Sequence, residues 1–128
     1  RCSAVNDGKL DPQITQVQIT PLDEKLVTDA TAYVEKNLSN TELSVVSLSE
    51  AMNMSRVNLY RKLISVTGNT PSEFIRLIRL RHAEQLLMKS QLSISEISYM
   101  VGFSSQRYFS KCYKDLFGYM PSRYKRNK

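Results

Sequence analysis

Residues Leu43–Ser55, LSVVSLSEAMNMS, and residues Leu92–Ser104, LSISEISYMVGFS, are two versions of one pattern. At an offset of 49, Leu43 meets Leu92, Ser44 meets Ser93, Val45 meets Ile94 and Leu48 meets Ile97. Met52 then meets Val101, Met54 meets Phe103 and Ser55 meets Ser104. After one inserted residue the match continues at an offset of 50: Leu59 with Phe109, Leu63 with Tyr113, Gly68 with Gly118, Pro71 with Pro121 and Ser72 with Ser122. Capping residues, apolar positions and helix-ending glycines all agree in one register, which marks a duplicated supersecondary unit.

Each copy reads as helix, tight turn, helix. Ser93-Ile94-Ser95-Glu96 is a capping box that opens the first helix of the second copy. In the first copy Ser47-Leu48-Ser49-Glu50 has the same form, but the equivalence of Ser44 with Ser93 puts the start at Ser44 and leaves Ser47 one turn inside. The first helices are then residues 45–52 and 94–101. The turns are Asn53-Met54 and Gly102-Phe103. Gly102 suits a positive φ, and Asn is the next most tolerant residue there. The second helices are 55–67 and 105–117, closed by Gly68 and Gly118. This is the helix-turn-helix pattern, whose second helix enters the DNA major groove.

Two further helices precede and join the two copies. Thr20-Pro21-Leu22-Asp23 combines a Thr cap, Pro at the first helical position and acids in the first turn. Leu26, Ala30, Val34 and Leu38 follow at a spacing of four, one apolar stripe on a helix of about 16 residues. Thr70-Pro71-Ser72-Glu73 opens a helix that carries Phe74, Ile75, Ile78, Ala83, Leu86 and Leu87 and runs to about Lys89. No strict alternation points to strands. The expected fold is all-α: two helix-turn-helix subdomains joined by a long linker helix, about seven helices in total. The expected organisation is a linker or tail over 1–19, a first subdomain over 20–69, the connecting helix over 70–89 and a second subdomain over 90–128.

Charge separates the halves. The 128 residues carry a net +6, and 41% are apolar. Residues 1–54 hold four basic groups against eight acidic, a balance of −4; residues 55–128 hold fourteen against four, a balance of +10. A field of that sign favours an anionic partner. No apolar run approaches the roughly 18 residues of a membrane span, and Arg1–Leu10 has no apolar signal region. The absence of an initiator Met reads as a fragment of a longer chain, with sensor or receiver parts elsewhere. Cys2 and Cys112 form no disulfide framework, which fits a reducing, cytoplasmic compartment. With His82 the only histidine and no cysteine pair at ligand spacing, neither metal nor cofactor is expected.

The second helices carry the expected chemistry. In 55–67, Leu59, Leu63 and Val66 form the core face, leaving Arg56, Asn58, Arg61 and Lys62 outside. In 105–117, Phe109, Cys112, Tyr113 and Leu116 face inward, and Gln106, Arg107, Tyr108, Lys111 and Lys114 face out. Arg suits guanine and Asn suits adenine in the major groove. The base-reading candidates are Arg56, Asn58, Tyr60, Arg61, Gln106, Arg107, Tyr108 and Lys111. Ser55, Lys62, Ser104, Ser105, Lys114 and Arg123 are candidates for phosphate contact, which fixes register without reading sequence. A connecting helix of about 18 residues spans roughly 27 Å. Such a rod can hold two reading helices about one DNA turn, roughly 34 Å, apart.

With these residues in view, the stretch from about Thr20 to Lys125 resembles the DNA-binding domain of the arabinose-regulator (AraC/XylS) family. The most specific part is Ile94-Ser95-Glu96-Ile97 through Val101-Gly102-Phe103-Ser104, then Tyr108-Phe109-Ser110-Lys111 and Phe117-Gly118 with Pro121 and Tyr124. Ile19–Lys25, Met54-Ser55-Arg56, Leu59-Tyr60-Arg61-Lys62-Leu63, Phe74-Ile75-Arg76 and Arg79-Leu80-Arg81 resemble the C-terminal output domain of Bacteroides-type hybrid two-component regulators. The resemblance implies transcription control of carbohydrate-use genes, triggered by a receiver domain upstream and in a parent protein that can be anchored in the inner membrane. It implies that Val57, Asn58, Tyr60 and Arg61, and Arg107, Tyr108 and Lys111, face bases or phosphates. Double-stranded DNA is the implied partner, with RNA polymerase a compatible second one.

Two rival readings remain. An enzyme needs convergent acid, base or nucleophile groups, yet His82 lies mid-helix among arginines, and Cys112 falls on an inward face as a small core residue. A protein-interaction module built on the same fold is the stronger rival, with Tyr99, Tyr119 and Tyr124 as exposed aromatics.

Overall fold

Among the described residues, each of the six α-helices begins at a residue whose side chain closes its first turn. The computed structural model describes residues 20–124, without the side chain of Tyr124. Helix α1 spans Pro21–Lys36; the Asp23 N–H donates to Thr20 Oγ1 at 3.1 Å, and Asp23 Oδ2 accepts from the Thr20 N–H. Helix α2, Val45–Ala51, starts at Ser44, with Ser47 as the reciprocal partner. Helix α3, Arg56–Thr67, starts at Ser55. Helix α4, Pro71–Lys89, starts at the box of Thr70 and Glu73. Helix α5, Ile94–Met100, starts at the box of Ser93 and Glu96, and helix α6, Gln106–Phe117, at Ser105. Each such cap stabilises its helix by about 1 kcal/mol. A 3-10 turn, Pro121–Tyr124, follows. The described residues contain no strand.

The duplication is visible in three dimensions. Asn53 and Gly102, equivalent in the repeat, both take positive φ (57° and 94°) between their paired helices. Gly68 and Gly118 close α3 and α6 in left-handed conformations. The match extends to two buried serines. Ser49 Oγ donates to the Val46 carbonyl and Ser98 Oγ to the Ser95 carbonyl, both at 2.8 Å. Bonding back to its own helix lets each hydroxyl enter an apolar core at little cost.

There are two cores, and α4 serves both. Ala30, Val34, Leu43, Leu48, Leu59 and Leu63 pack with Phe74 and Ile75 from the start of α4. Ile97, Val101, Phe103, Phe109, Cys112 and Tyr113 pack with Leu80, Ala83 and Leu87 from its later turns. Burial of each large apolar side chain stabilises by roughly 1.5–3 kcal/mol. The extensive helix pairings occur within a unit or through α4, which touches α1, α3, α5, α6 and the 3-10 turn.

Two expectations are corrected. Leu38 does not extend the stripe of α1, which ends at Lys36; it lies past the C-cap Asn37 and packs against both cores. Leu116 is 42% exposed rather than inward. Tyr113 is covered instead by Phe117, with ring centroids 4.4 Å apart, and by Tyr119 at 5.9 Å. These rings fill the space at the end of α6 and leave Leu116 at the edge of a groove beside Leu77. Residues 1–19, including the expected tail and Cys2, lie outside the described residues.

Candidate nucleic-acid interface

The turn and core geometry decides which face of each second helix is free. On α3, Leu59 and Leu63 are fully buried, so the opposite side is presented to solvent. Arg56, Asn58, Tyr60, Arg61 and Lys62 are all exposed there, with Ser55 at the cap. Val57, at 58% exposure, stands among them, and Arg56, Val57, Tyr60 and Arg61 surround a shallow apolar hollow.

On α6, Phe109 and Tyr113 are fully buried and Cys112 nearly so, which turns Gln106, Arg107, Tyr108, Lys111 and Lys114 outward. Ser104 and Ser105 are exposed at its start. Tyr108 leans on Phe103, ring centroids 5.9 Å apart, so the turn holds one edge of this outward face. Beyond α6, Arg123 sits 4.5 Å over the Tyr119 ring, a cation–π contact that orients an exposed guanidinium.

Not every cation is uncommitted. Lys62 Nζ donates to Asp23 Oδ1 at 3.0 Å, and Lys111 Nζ to Asp115 Oδ2 at 3.2 Å. Asp115 raises the Lys111 ammonium above its usual pKa through a hydrogen bond and its charge. Both lysines remain largely exposed and can exchange their acid for a phosphate; the Lys111 pair is exposed on both sides and weak, whereas Asp23 is nearly buried. The two faces therefore offer donors for base edges and cations for a phosphate chain, mounted on a shared rod of 19 residues, about 28 Å long.

The residues considered for catalysis lie elsewhere. His82 Nε2 is 3.2 Å from Glu35 Oε2, linking α4 to α1, and Cys112 is buried in the second core. Among the described residues no group of His, Cys, Asp and Glu could hold a metal ion, and no helix is long and apolar enough to cross a membrane. Of the tyrosines considered for a protein interface, Tyr99 is exposed and Tyr119 half-buried; the Tyr124 side chain lies outside the described residues.

One long-range contact escaped the sequence. Arg79, on α4, donates from Nη2 to the Asn40 carbonyl at 2.8 Å, across 39 residues. Its place among the basic groups of the connecting helix gave no hint of a partner. The only signal was Gly102, whose turn needs both positive φ and an unobstructed approach.

A helix-turn-helix domain family matches residues 48–127. Over 110 residues the chain is 42% identical to histidine kinase P4 of Formosa agariphila, covering 86% of this chain and 8% of that protein. The chain thus spans a small part of that relative. Its fold matches the C-terminal domain of AraT, a response regulator from Geobacillus stearothermophilus, with a TM-score of 0.73 and 32% identity over 87% of this chain and 88% of that one. It also matches the DNA-binding domain of the global transcriptional factor AdpA in complex with a target DNA, with a TM-score of 0.70 and 26% identity over 77% of this chain and 87% of that one. The chain belongs to the helix-turn-helix family, as a DNA-binding domain of the AraC type found in transcription regulators.

Proposed function

We propose that this domain binds double-stranded DNA sequence-specifically, laying α3 and α6 into two successive major-groove segments on one face of the duplex. The observation that carries the reading is the repetition itself. Two equivalent units present their second helices with cationic, donor-rich faces outward, and both are anchored on α4. Arg56, Asn58, Tyr60 and Arg61 read bases from α3; Gln106, Arg107, Tyr108 and Lys111 read them from α6. Ser55, Lys62, Ser104, Ser105, Lys114 and Arg123 hold phosphates. The domain is the output end of a longer regulator whose receiver and sensor parts lie outside this chain. Kinship with a histidine kinase and a response regulator supports a two-component protein. Control of carbohydrate-use genes rests on the resemblance of Ile19–Lys25 and the α3 motif to hybrid regulators. RNA polymerase is a second partner compatible with this role.

The test is selection from a random double-stranded DNA pool, with sequencing of the retained fraction across a salt series. The expected product is a site of two short elements about one helical turn apart. Affinity should fall about 10³–10⁵-fold between 50 and 200 mM salt if six to ten phosphates are contacted. Salt-sensitive binding with no enriched sequence would reject base reading by this domain alone. No binding at low salt would favour the protein-interaction reading.

A further inference from the structure

Three segments distant in sequence converge on one side chain. The first is the connection between α1 and α2, which offers the Asn40 carbonyl to Arg79 Nη2. The second is the middle of α4, which carries Arg79. The third is the turn between α5 and α6: a Cβ on Gly102 would lie 2.7 Å from Arg79 Cζ and 2.8 Å from Nε, and would run into the Leu38 carbonyl oxygen. Leu38, beside that carbonyl, packs its side chain against both cores. The first unit and the turn of the second therefore touch at backbone distance, with a guanidinium wedged between them.

Around this point the units are separated. An open groove of about 360 Å³ is lined by Leu43 and Ser44 of the first unit, Arg76 and Arg79 of α4, and Phe103 and Tyr108 of the second. A second groove, about 340 Å³, lies between Asn69 and Glu73 on one side and Lys111 and Leu116 on the other. Helices α5 and α6 reach the first unit mainly through α4. Arg79 is also costly to place: its Nε is buried without a hydrogen-bond partner among the described residues, and burial pulls its pKa down. A half-buried, partly unsatisfied cation is poor glue for a core. Its geometry instead fixes the position of a loop against a turn.

We propose that Arg79 is a positioning residue that sets the distance and angle between the two reading helices by tying the Asn40 carbonyl to the turn at Gly102. It touches no DNA in this role. The inference rests on the two-reader function proposed above. Its consequence is a fixed operator spacing, because a rigid pair of readers accepts only one separation along the duplex. Without the tie, each unit still folds on its own core and reads its own element, while rocking about α4 into the grooves relaxes the spacing.

The experiment uses the whole chain and its selected site, with one base pair inserted or deleted between the two elements. The wild type should bind the misspaced sites about tenfold or more weakly, since each base pair turns one element by about a tenth of a helical turn. Arg79→Met keeps the volume and removes the donors; it should cut that discrimination to about threefold or less, while a single-element site is bound as before. Arg79→Lys keeps a cationic donor and should restore part of the discrimination. A merely structural role would lower all affinities and leave the spacing ratio unchanged, which would overturn the proposal. Should Arg79→Met not fold, Gly102→Ala provides the second measurement: its Cβ displaces the Leu38 carbonyl and should relax spacing in the same sense. Wild-type indifference to spacing, on a site that it binds specifically, would reject the tie and leave the DNA-binding function standing. Absence of any selected site would reject the function itself.

Discussion

Lys62, on the outer face of α3, donates to Asp23 in the first turn of α1 at 3.0 Å, joining the proposed reading helix to the start of α1. The Lys62 hydrogen bond, followed by the bond to the Thr20 N–H, holds the Asp23 carboxyl below its ordinary pKa. A lowered folded-state pKa means that the carboxylate's stabilising contribution is fully present above the unfolded carboxylate range. It is lost as pH falls through the folded value. Asp23→Asn should therefore lower the melting temperature at neutral pH, and the two proteins should converge at acid pH. Thermal melts in a pH series check this. Parallel curves at all pH values would show that the pair contributes nothing to stability.

The same pair bears on DNA. Of the seven candidate cations Arg56, Arg61, Lys62, Arg107, Lys111, Lys114 and Arg123, two begin paired with carboxylates. If all seven replace counterions on the phosphate chain, the slope of log K against log salt is about −6; if the paired lysines stay with their acids, it is about −4.5. Asp115→Asn frees Lys111 and should raise affinity most at low salt, steepening the slope by up to about 0.9. A slope unaffected by Asp115→Asn would confine Lys111 to the base contact proposed for it.

Two glycines of similar backbone geometry separate strain from contact. Gly102 and Gly118 have φ of 94° and 87°, but a Cβ on Gly118 meets nothing within 4 Å, whereas one on Gly102 meets the Leu38 carbonyl and Arg79. Gly118→Ala should cost about 1–2 kcal/mol, the price of a left-handed conformation. Gly102→Ala adds overpacking of about 1–3 kcal/mol, and Gly102→Val should disrupt the second unit further. Urea unfolding of the variants gives the comparison. Equal losses for the two Ala variants would mean that the Leu38 carbonyl yields freely.

What the sequence revealed divides along physical lines. Thr20, Thr70 and Ser93 cap helices through bonds three residues long, so local chemistry was enough to place those starts, while Ser55 and Ser105, read as the first helical residues, are the caps just before them. The duplication then resolved the one ambiguous cap, Ser44 against Ser47. By contrast, Lys62–Asp23 and Arg79–Asn40 each join groups 39 residues apart, and His82–Glu35 joins groups 47 apart. No periodicity encodes such a meeting; it depends on the path of α1 across α3 and α4. Leu38 and Leu116 failed for a related reason. Each fits the spacing of its stripe, but the helix had ended before Leu38, and aromatic rings had already occupied the place of Leu116. The outward faces of α3 and α6 followed from which residues are buried, while any bases that they meet depend on the docked complex.

Arg107 sits early on α6, exposed and beside Tyr108, where the start of a reading helix approaches base edges. A bidentate contact to guanine is worth about 1–3 kcal/mol of discrimination. Arg107→Ala should therefore weaken binding to the selected site by that amount and relax one base position. Repeating the selection with the variant shows which position. A loss spread evenly over all sequences would move Arg107 to the phosphate contacts.

Val57 poses a different problem, because an apolar side chain stands 58% exposed in the middle of the outward face of α3. In water that exposure is unfavourable, and with Tyr60 it borders an apolar hollow rather than a polar one. The one apolar group in the major groove is the thymine methyl. Val57 is expected to meet one, and the contact can be removed from the DNA without touching the protein. Deoxyuridine pairs as thymidine does but lacks the methyl. Replacing the thymines under α3 one at a time should find a position where the wild type loses about 0.8 kcal/mol, the value of one buried methylene-sized group, or about fourfold in affinity. Val57→Ser should bind the thymine and uracil sites equally, at the weaker level. A wild type indifferent to every such replacement would assign the first element's specificity to Asn58 and Arg61 alone. A Val57→Ser protein that still prefers thymine would pass the contact to Tyr60.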